Sequence, residues 1–286
     1  MSCPASSPPA AHAPLIFANL LAAIVAAFAA AIVAAGPAQA ETRMLVDQRL
    51  GCDTIGMTPP PDLSEPDNID LFKRRLLYYR CTAYEKDIAE VLGKALKWVA
   101  ARAPEVQRPA IVLDIDETSL FNWPRIFQQG YAFFSTFPGV DDCSFAKVGD
   151  LCGDLDWQKA GYARAIGPTL KLYRFARCID QPESCKKIDV FFVTGRREKE
   201  YKGEMPSVWT LRNLEAEGFT GIERDHLYMR DPHSEGSAAI HKIPARAAIE
   251  KMGFTIVANI GDQKSDLEGG YAEMTFKVPN PFYFIE

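Results

Sequence analysis

The sequence is poor in the features that mark several large enzyme classes. Histidine occurs only four times in 286 residues, at His12, His226, His233 and His241, too scattered for a His-rich dinuclear metal centre. No Cys-x5-Arg segment is present, which removes chemistry built on a cysteine nucleophile in that loop. Neither a Walker A segment nor a G-x-G-x-x-G run occurs, so P-loop NTPase and dinucleotide readings lack their core feature. No two cysteines stand at C-x-x-C spacing, which argues against a structural zinc or a thioredoxin-like redox pair. Basic excess is missing too. The formal net charge is −5, so the global balance supports no nucleic-acid partner, and any anion site has to be cationic locally.

Another absence is local. Residues 1–40 contain no Asp, Glu, Lys or Arg. Leu15 to Ala35 is almost continuously apolar and Ala-rich, and it ends in Gly36-Pro37-Ala38-Gln39-Ala40. Ala38 and Ala40 fit an A-x-A cleavage site, which would start the mature chain at Glu41. The n-region lacks Lys and Arg, and the apolar run is long enough to span a bilayer. Residues 1–40 therefore read as a signal peptide or as an uncleaved N-terminal anchor. Either one exports the rest of the chain, to a secreted or periplasmic location. Membrane association is expected only for the anchor, through residues 15–35.

Cysteine usage agrees with export. Six of the seven cysteines follow the leader: Cys52, Cys81, Cys143, Cys152, Cys178 and Cys185. An even count suits an oxidising compartment. Six cysteines allow fifteen pairings; local spacing suggests Cys143–Cys152 and Cys178–Cys185, leaving Cys52–Cys81. Closing a loop of about ten residues is worth about 2.7 kcal/mol in the chain-entropy model.

The remaining composition is that of an ordinary globular domain, with 48% hydrophobic and 24% charged residues. Residues 41–67, rich in Pro, Asp and Gly, read as a connecting arm. From Asn68 to about Ala103, apolar residues recur at three- and four-residue steps, which predicts one or two amphipathic helices stopped by Pro104. Ala110-Ile111-Val112-Leu113 then reads as a strand buried on both faces, ending abruptly at Asp114-Ile115-Asp116. About 65 residues separate it from the next strong strand, Ile188 to Val193. This interval is too long for a plain loop. It reads as an inserted cap at about 121–180, holding Phe127, Tyr131, Phe133, Phe134, Phe137, Trp157 and Tyr162, with a helix from about Asp156 to Cys178 returning to the core.

The second strand ends at Thr194-Gly195-Arg196-Arg197, where a hydroxyl, backbone N–H groups and guanidiniums suit an anion. A helix follows from Pro206 to Glu217, with Gly218 as its stop. A strand comes next at His226–Met229. A further helix is expected to start near Ile243-Pro244, with Lys242 just before it, and to end at Gly253. A fourth strand, Phe254 to Ile260, leads into Gly261-Asp262-Gln263-Lys264-Ser265-Asp266, and a last strand is expected near Thr275–Val278. Strands alternating with helices predict right-handed crossovers and a parallel sheet. Ligands bind beyond the carboxyl ends of such strands. There Asp114, Asp116, Thr194, Arg196, Asp262 and Asp266 would gather, with Lys242 from a helix start. Carboxylates, a hydroxyl and cations together fit a divalent metal and a phosphate, and hard oxygen donors favour Mg2+.

These residues resemble the haloacid dehalogenase (HAD) superfamily of phosphohydrolases. Asp114-x-Asp116-x-Thr118, the strand-terminal Thr194, Lys242, and Gly261-Asp262 with Asp266 match its four motifs. Asp-Glu-Thr, Val-Thr-Gly-Arg, Gly-Asp-Gln-x-x-Asp and Phe-Lys-Val-Pro-Asn-Pro-Phe-Tyr are similar to the plant and class B/class C acid phosphatases (subfamily III). The resemblance covers about 68–286 and implies a three-layer α/β/α Rossmannoid fold with a central parallel sheet and an inserted cap between the first two motifs.

It also implies roles. Asp114 would attack phosphorus, and Asp116 would act as acid and then base. Thr194, Gly195, Arg196 and Lys242 would bind phosphate. Mg2+ would sit on Asp114, the Asp116 backbone carbonyl and Asp262, with Asp266 in support. The expected substrate is a small phosphomonoester. A nucleotidase or phosphotransferase on the same fold is one alternative. A storage or binding protein is another, although storage members of the group have lost the nucleophile that Asp114 supplies here.

Overall fold

The fold comes from a computed structural model, which describes residues 68–136, 152–179 and 185–285. The leader, the connecting arm, Phe137, Cys52 and Cys143 lie outside the described residues.

Two helices open the described chain, α1 (Ile69–Thr82) and α2 (Tyr84–Arg102). Asn68 caps α1 by accepting from Asp70 N at 2.9 Å, satisfying one of the free N–H groups of the first turn. Non-helical backbone at Ala83 (φ −125°) separates the two. α2 buries Ile88, Leu92, Ala95 and Val99, a single stripe at steps of three and four. Trp98 on the same helix donates its Nε1 to Val257 O at 2.7 Å and so ties the helix to the sheet.

Strand β1 (Pro109–Leu113) is buried at every position. After it come a short strand β2 (Leu120–Phe121) and helix α3 (Trp123–Gln128). Helix α4 (Asp154–Ala160), strand β3 (Arg164–Ala165) and helix α5 (Gly167–Ala176) follow. The single helix expected from Asp156 to Cys178 is therefore two helices. Gly161 ends α4 in the left-handed region at φ 69°, and β3 then pairs antiparallel with β2. Backbone hydrogen bonds across that pair replace those a continuous helix would have made.

The rest of the chain adds β4 (Asp189–Arg197), α6 (Pro206–Ala216), β5 (Leu227–Arg230), α7 (Ala239–Lys251), β6 (Thr255–Gly261), a short α8 (Lys264–Leu267) and β7 (Thr275–Lys277). Strand β4 runs past the expected Val193. A bulge between Val193 and Arg197 lets the ladder resume at Arg197↔Arg230. Helix α7 starts a turn earlier than Pro244 suggested. His241 N and Lys242 N both donate to Ala238 O at 3.1 Å, which secures the extra turn, and Pro244 sits inside the helix at the loss of one donor. Lys242 is accordingly inside α7 and not ahead of it.

The five-stranded sheet has the order β5-β4-β1-β6-β7, and every pairing in it is parallel. Its two faces belong to two cores. Ile111 and Leu113 of β1 pack into one with the buried faces of α2 and α5. Ala110 and Val112 pack into the other with Ala245 and Ile249 of α7. This is the period-two alternation of a strand covered on both sides, giving three α/β/α layers. Each fully buried Val, Leu or Ile contributes about 1.5–3 kcal/mol. Cys178 and Cys185 form a disulfide. Cys81 and Cys152 are each disulfide-bonded as well; the other two expected pairs, Cys52–Cys81 and Cys143–Cys152, involve residues outside the described set. Among the described residues no helix is long and apolar enough to cross a membrane.

Candidate active site

Strand β1 ends at Leu113, and the chain turns sharply over Asp114 to Ser119. Backbone N–H groups of Thr118, Ser119 and Leu120 all return to Ile115 O, and Glu117 takes a positive φ of 57°. Such backbone in a non-glycine residue is strained and persists where the surroundings fix it. Here the surroundings are polar and buried. Glu117 accepts from Asn122 N at 2.8 Å and from Asn122 Nδ2 at 3.0 Å, and Tyr283 donates its hydroxyl to the same carboxylate. Burial and the nearby Asp116 push the Glu117 carboxyl up to about 7.

The ends of β1, β4 and β6 with helix α7 bring Asp114, Asp116, Gly195, Arg196, Lys242 and Asp262 to one cavity of about 400 Å³, whereas the expected Thr194 and Asp266 are buried and do not line it. Carboxylate oxygens of Asp114, Asp262 and Asp266 lie within 4.8 Å of one another. Lys242 Nζ sits among them, 2.8 Å from Asp114 Oδ1 and bonded also to Asp266. The Asp114 carboxyl is held well above its usual range by burial and by Asp266, only partly offset by Lys242. Burial and Asp266 likewise push Asp262 up to about 7. Lys242 shifts upward: burial opposes its charge, but Asp114 and Asp266 outweigh that effect.

Asp266 is fully engaged, Oδ1 by Lys242 and Oδ2 by Gln263 N at 2.7 Å. Gly261 makes room for it, because a Cβ there would overlap the Asp266 side chain. Asp114 Oδ2, by contrast, accepts no hydrogen bond from the described residues. Asp262 is oriented from both sides. Thr118 Oγ1 donates to its Oδ1 at 3.2 Å, while Gln263 Nε2 at 2.5 Å and Asn280 Nδ2 at 2.7 Å donate to its Oδ2.

Asp116 has a different environment. Arg196 grips it with two bonds, Nε to Oδ2 at 2.9 Å and Nη2 to Oδ1 at 2.7 Å, and Asn122 Nδ2 adds a third at 2.9 Å. Burial alone would raise the carboxyl, but Arg196 and Asn122 bring it below the ordinary value. The Arg pair is thereby sorted. Arg196 is 5% exposed and faces the site, whereas Arg197 turns outward to the carbonyls of Pro232 and Ser234, at 3.1 and 2.8 Å. Thr194 is fully buried at the inner end of this motif, its Oγ1 accepting from Arg196 N at 3.2 Å.

Several site residues were not singled out from the sequence. Arg125 and Asp154 form a buried pair at 3.1 Å in the cavity wall. Asn122 links Asp116 and Glu117 to the cap through Trp157, whose Nε1 donates to Asn122 Oδ1 at 2.8 Å. The tail contributes Asn280 and Tyr283. Its Pro-Asn-Pro-Phe-Tyr run was a visible signal, but nothing in the sequence alone attached it to Asp262. Of the cap aromatics, Tyr131 and Phe133 line the cavity, and Trp157 is core.

The donor set suits a divalent cation. Three buried carboxylates cluster around one ammonium that bonds two of them, and Ser265 Oγ, also at the cavity, is buried with no hydrogen-bond partner among the described residues. Surplus negative charge, hard oxygen donors and a hydroxyl without a partner among the described residues fit a hard divalent cation.

A buried aspartate at the end of the first strand, a threonine-ended second strand and a helix-borne lysine are the arrangement of the HAD class. The family model of HAD superfamily subfamily IIIB, the acid phosphatases, matches residues 72–286, and the chain belongs to that family. Its relatives include acid phosphatase 1 of Solanum lycopersicum, 35% identical over 179 residues, 62% of this chain and 60% of that protein. The stem 28 kDa glycoprotein of Glycine max is 32% identical over 214 residues, 73% of this chain and 72% of the relative. The class C acid phosphatase from Bacillus anthracis shares the fold, with a TM-score of 0.52 at 18% identity, covering 84% of this chain and 87% of that one.

Proposed function

We propose that the chain is an exported, Mg2+-dependent phosphomonoesterase that acts on small phosphomonoesters through an aspartyl-phosphate on Asp114. The observation that carries this reading is Asp114 itself. It is buried at a strand end, one oxygen bonded to Lys242 at 2.8 Å and the other without a partner among the described residues, so it is positioned as a nucleophile.

Asp114, the Asp116 carbonyl and Asp262 would hold Mg2+, which when bound supplies charge that screens the phosphoryl oxygens. Thr194 and Gly195 donate to those oxygens. Lys242 favours the ionised form of Asp114 against burial and Asp266, and holds the carboxylate in place. Asp114 attacks phosphorus as the leaving alcohol takes a proton from Asp116; Asp116 then removes a proton from the water that hydrolyses the acyl phosphate. For this, Arg196 has to exchange Asp116 for the incoming phosphoryl group. A dianionic phosphate competes well for a guanidinium fork, and the exchange frees a carboxyl oxygen to carry the proton. The oxidised cysteines and the leader support export.

Turnover of an aryl phosphate, followed with and without Mg2+, tests the proposal. Hydrolysis is expected only with the metal, and Asp114→Asn is expected to abolish it. Full activity in Asp114→Asn would sink the mechanism.

A further inference from the structure

Four cationic side chains line the cavity: Arg125, Arg196, Arg230 and Lys242. Three have carboxylate partners, Arg125 with Asp154, Arg196 with Asp116, and Lys242 with Asp114 and Asp266. Arg230 has none among the described residues. It is 7% exposed, and its hydrogen bonds go to neutral groups, Nε to Ser234 Oγ at 2.9 Å and Nη2 to Gly236 O at 2.6 Å. Those two bonds fix the guanidinium and leave Nη1 without a partner among the described residues. Burial and the neighbouring Arg197 charge both lower its pKa from the usual guanidinium value; an anion beside it would relieve both effects.

The register places this charge away from the transferring phosphate. Arg230 pairs with Arg197, three residues beyond Thr194 along β4. β5 advances only two residues between the Val193↔Tyr228 and Arg197↔Arg230 pairings, so at about 3.3 Å per residue the Arg230 backbone stands roughly 7 Å beyond the level of Val193, and β5 lies two strands away from β1, the strand that leads into Asp114. Arg230 closes the β5 edge of the sheet, while Tyr283, Phe284 and Ile285, which follow β7 at the opposite edge, make an apolar wall of the same cavity.

We infer that Arg230 is a second anion subsite, and that the preferred substrates are phosphomonoesters whose alcohol part carries another anionic group, a carboxylate or a second phosphate. This rests on the phosphomonoesterase reading. Arg230 is a specificity residue and takes no part in the bond changes at phosphorus.

The test uses matched probes on the full chain with Mg2+. Phosphoglycerate is compared with glycerol phosphate, and a propanediol bisphosphate with propyl phosphate. In Arg230→Gln the ratio of kcat/KM, anionic over neutral partner, is expected to fall roughly ten- to hundred-fold, the effect of one charge-assisted hydrogen bond. Arg230→Lys is expected to recover part of it. A fall in one pair alone supports the subsite and says whether it takes carboxylate or phosphate. A ratio unchanged within about threefold in both pairs, or an equal fall on all four probes, overturns it. Calorimetric Kd values for phosphoglycerate and glycerol phosphate in the Asp114→Asn background, with Arg230 intact or changed to Gln, give the same comparison without turnover. Arg230-dependent preference for phosphoglycerate there, beside a wild-type chain that hydrolyses nothing, would defeat the phosphatase reading and leave the subsite standing. Thermal melts confirm that each variant is folded.

Discussion

Lys242 and Asp114 lie 128 residues apart in the chain, yet Nζ and Oδ1 meet at 2.8 Å in a site where both side chains are 6% exposed. The contact joins the end of β1 to the first turns of α7. It also neutralises part of a carboxylate cluster that would otherwise repel itself. Lys242→Met removes that counterion and leaves Asp114, Asp262 and Asp266 facing one another. The variant is expected to lose about 3–5 kcal/mol of stability and to regain part of it in Mg2+, with a larger metal-induced rise in melting temperature than the wild type shows. Calorimetric melts with and without Mg2+ check both, and turnover is expected to drop by a factor of about 100 or more.

Gly261 is required by close approach, not by an unusual φ. A Cβ there meets the Asp266 side chain, which is held at both oxygens and cannot swing aside without breaking them. Gly261→Ala is therefore expected to cost about 1–3 kcal/mol, read as a lower urea midpoint at unchanged m-value. Wild-type stability in that variant would show that Asp266 is mobile.

The two adjacent arginines should separate cleanly. Arg196→Ala removes the bidentate partner of Asp116 and, on the proposed mechanism, a donor to the phosphoryl group, and kcat/KM is expected to fall by roughly a hundred- to a thousandfold. Arg197→Ala removes only outward contacts to loop carbonyls and is expected to change kcat/KM by less than about threefold, as for surface substitutions in general. Comparable losses in the two would contradict the orientation of the pair.

Asn280 holds one oxygen of Asp262 from the C-terminal tail at 2.7 Å. Groups that orient a metal-binding carboxylate typically change affinity by about 10–100-fold when removed. Asn280→Ala is expected to weaken Mg2+ binding by roughly tenfold. A calorimetric Mg2+ titration measures this directly, and saturating metal is expected to restore most of the turnover. An unaltered Mg2+ affinity would mean that Gln263 and Thr118 suffice to hold Asp262.

Much of the architecture was legible without coordinates, because it is set by short-range pattern. The buried run of β1, the amphipathic stripe of α2 and the alternation of strands with helices each reflect burial of apolar faces at a fixed period. The parallel sheet and the residues at its carboxyl edge follow. What failed to read was local competition. Gly161 with the β2–β3 pairing broke a helix that looked continuous, and the bonds to Ala238 O began α7 before its proline.

By itself, then, the sequence determined the sheet, the order of its motifs and the chemical types assembled at Asp114, Asp116, Thr194, Lys242, Asp262 and Asp266. The tertiary structure decided which of Arg196 and Arg197 turns inward, that Glu117 is buried against Asn122 and Tyr283, that Asn280 reaches Asp262, and that Arg230 has no counterion among the described residues. Those facts depend on side-chain direction and on contacts between residues far apart in the chain, and no periodicity encodes them. They follow from how the bulge in β4, the turn after Asp114 and the path of the tail fit together around one buried set of charges.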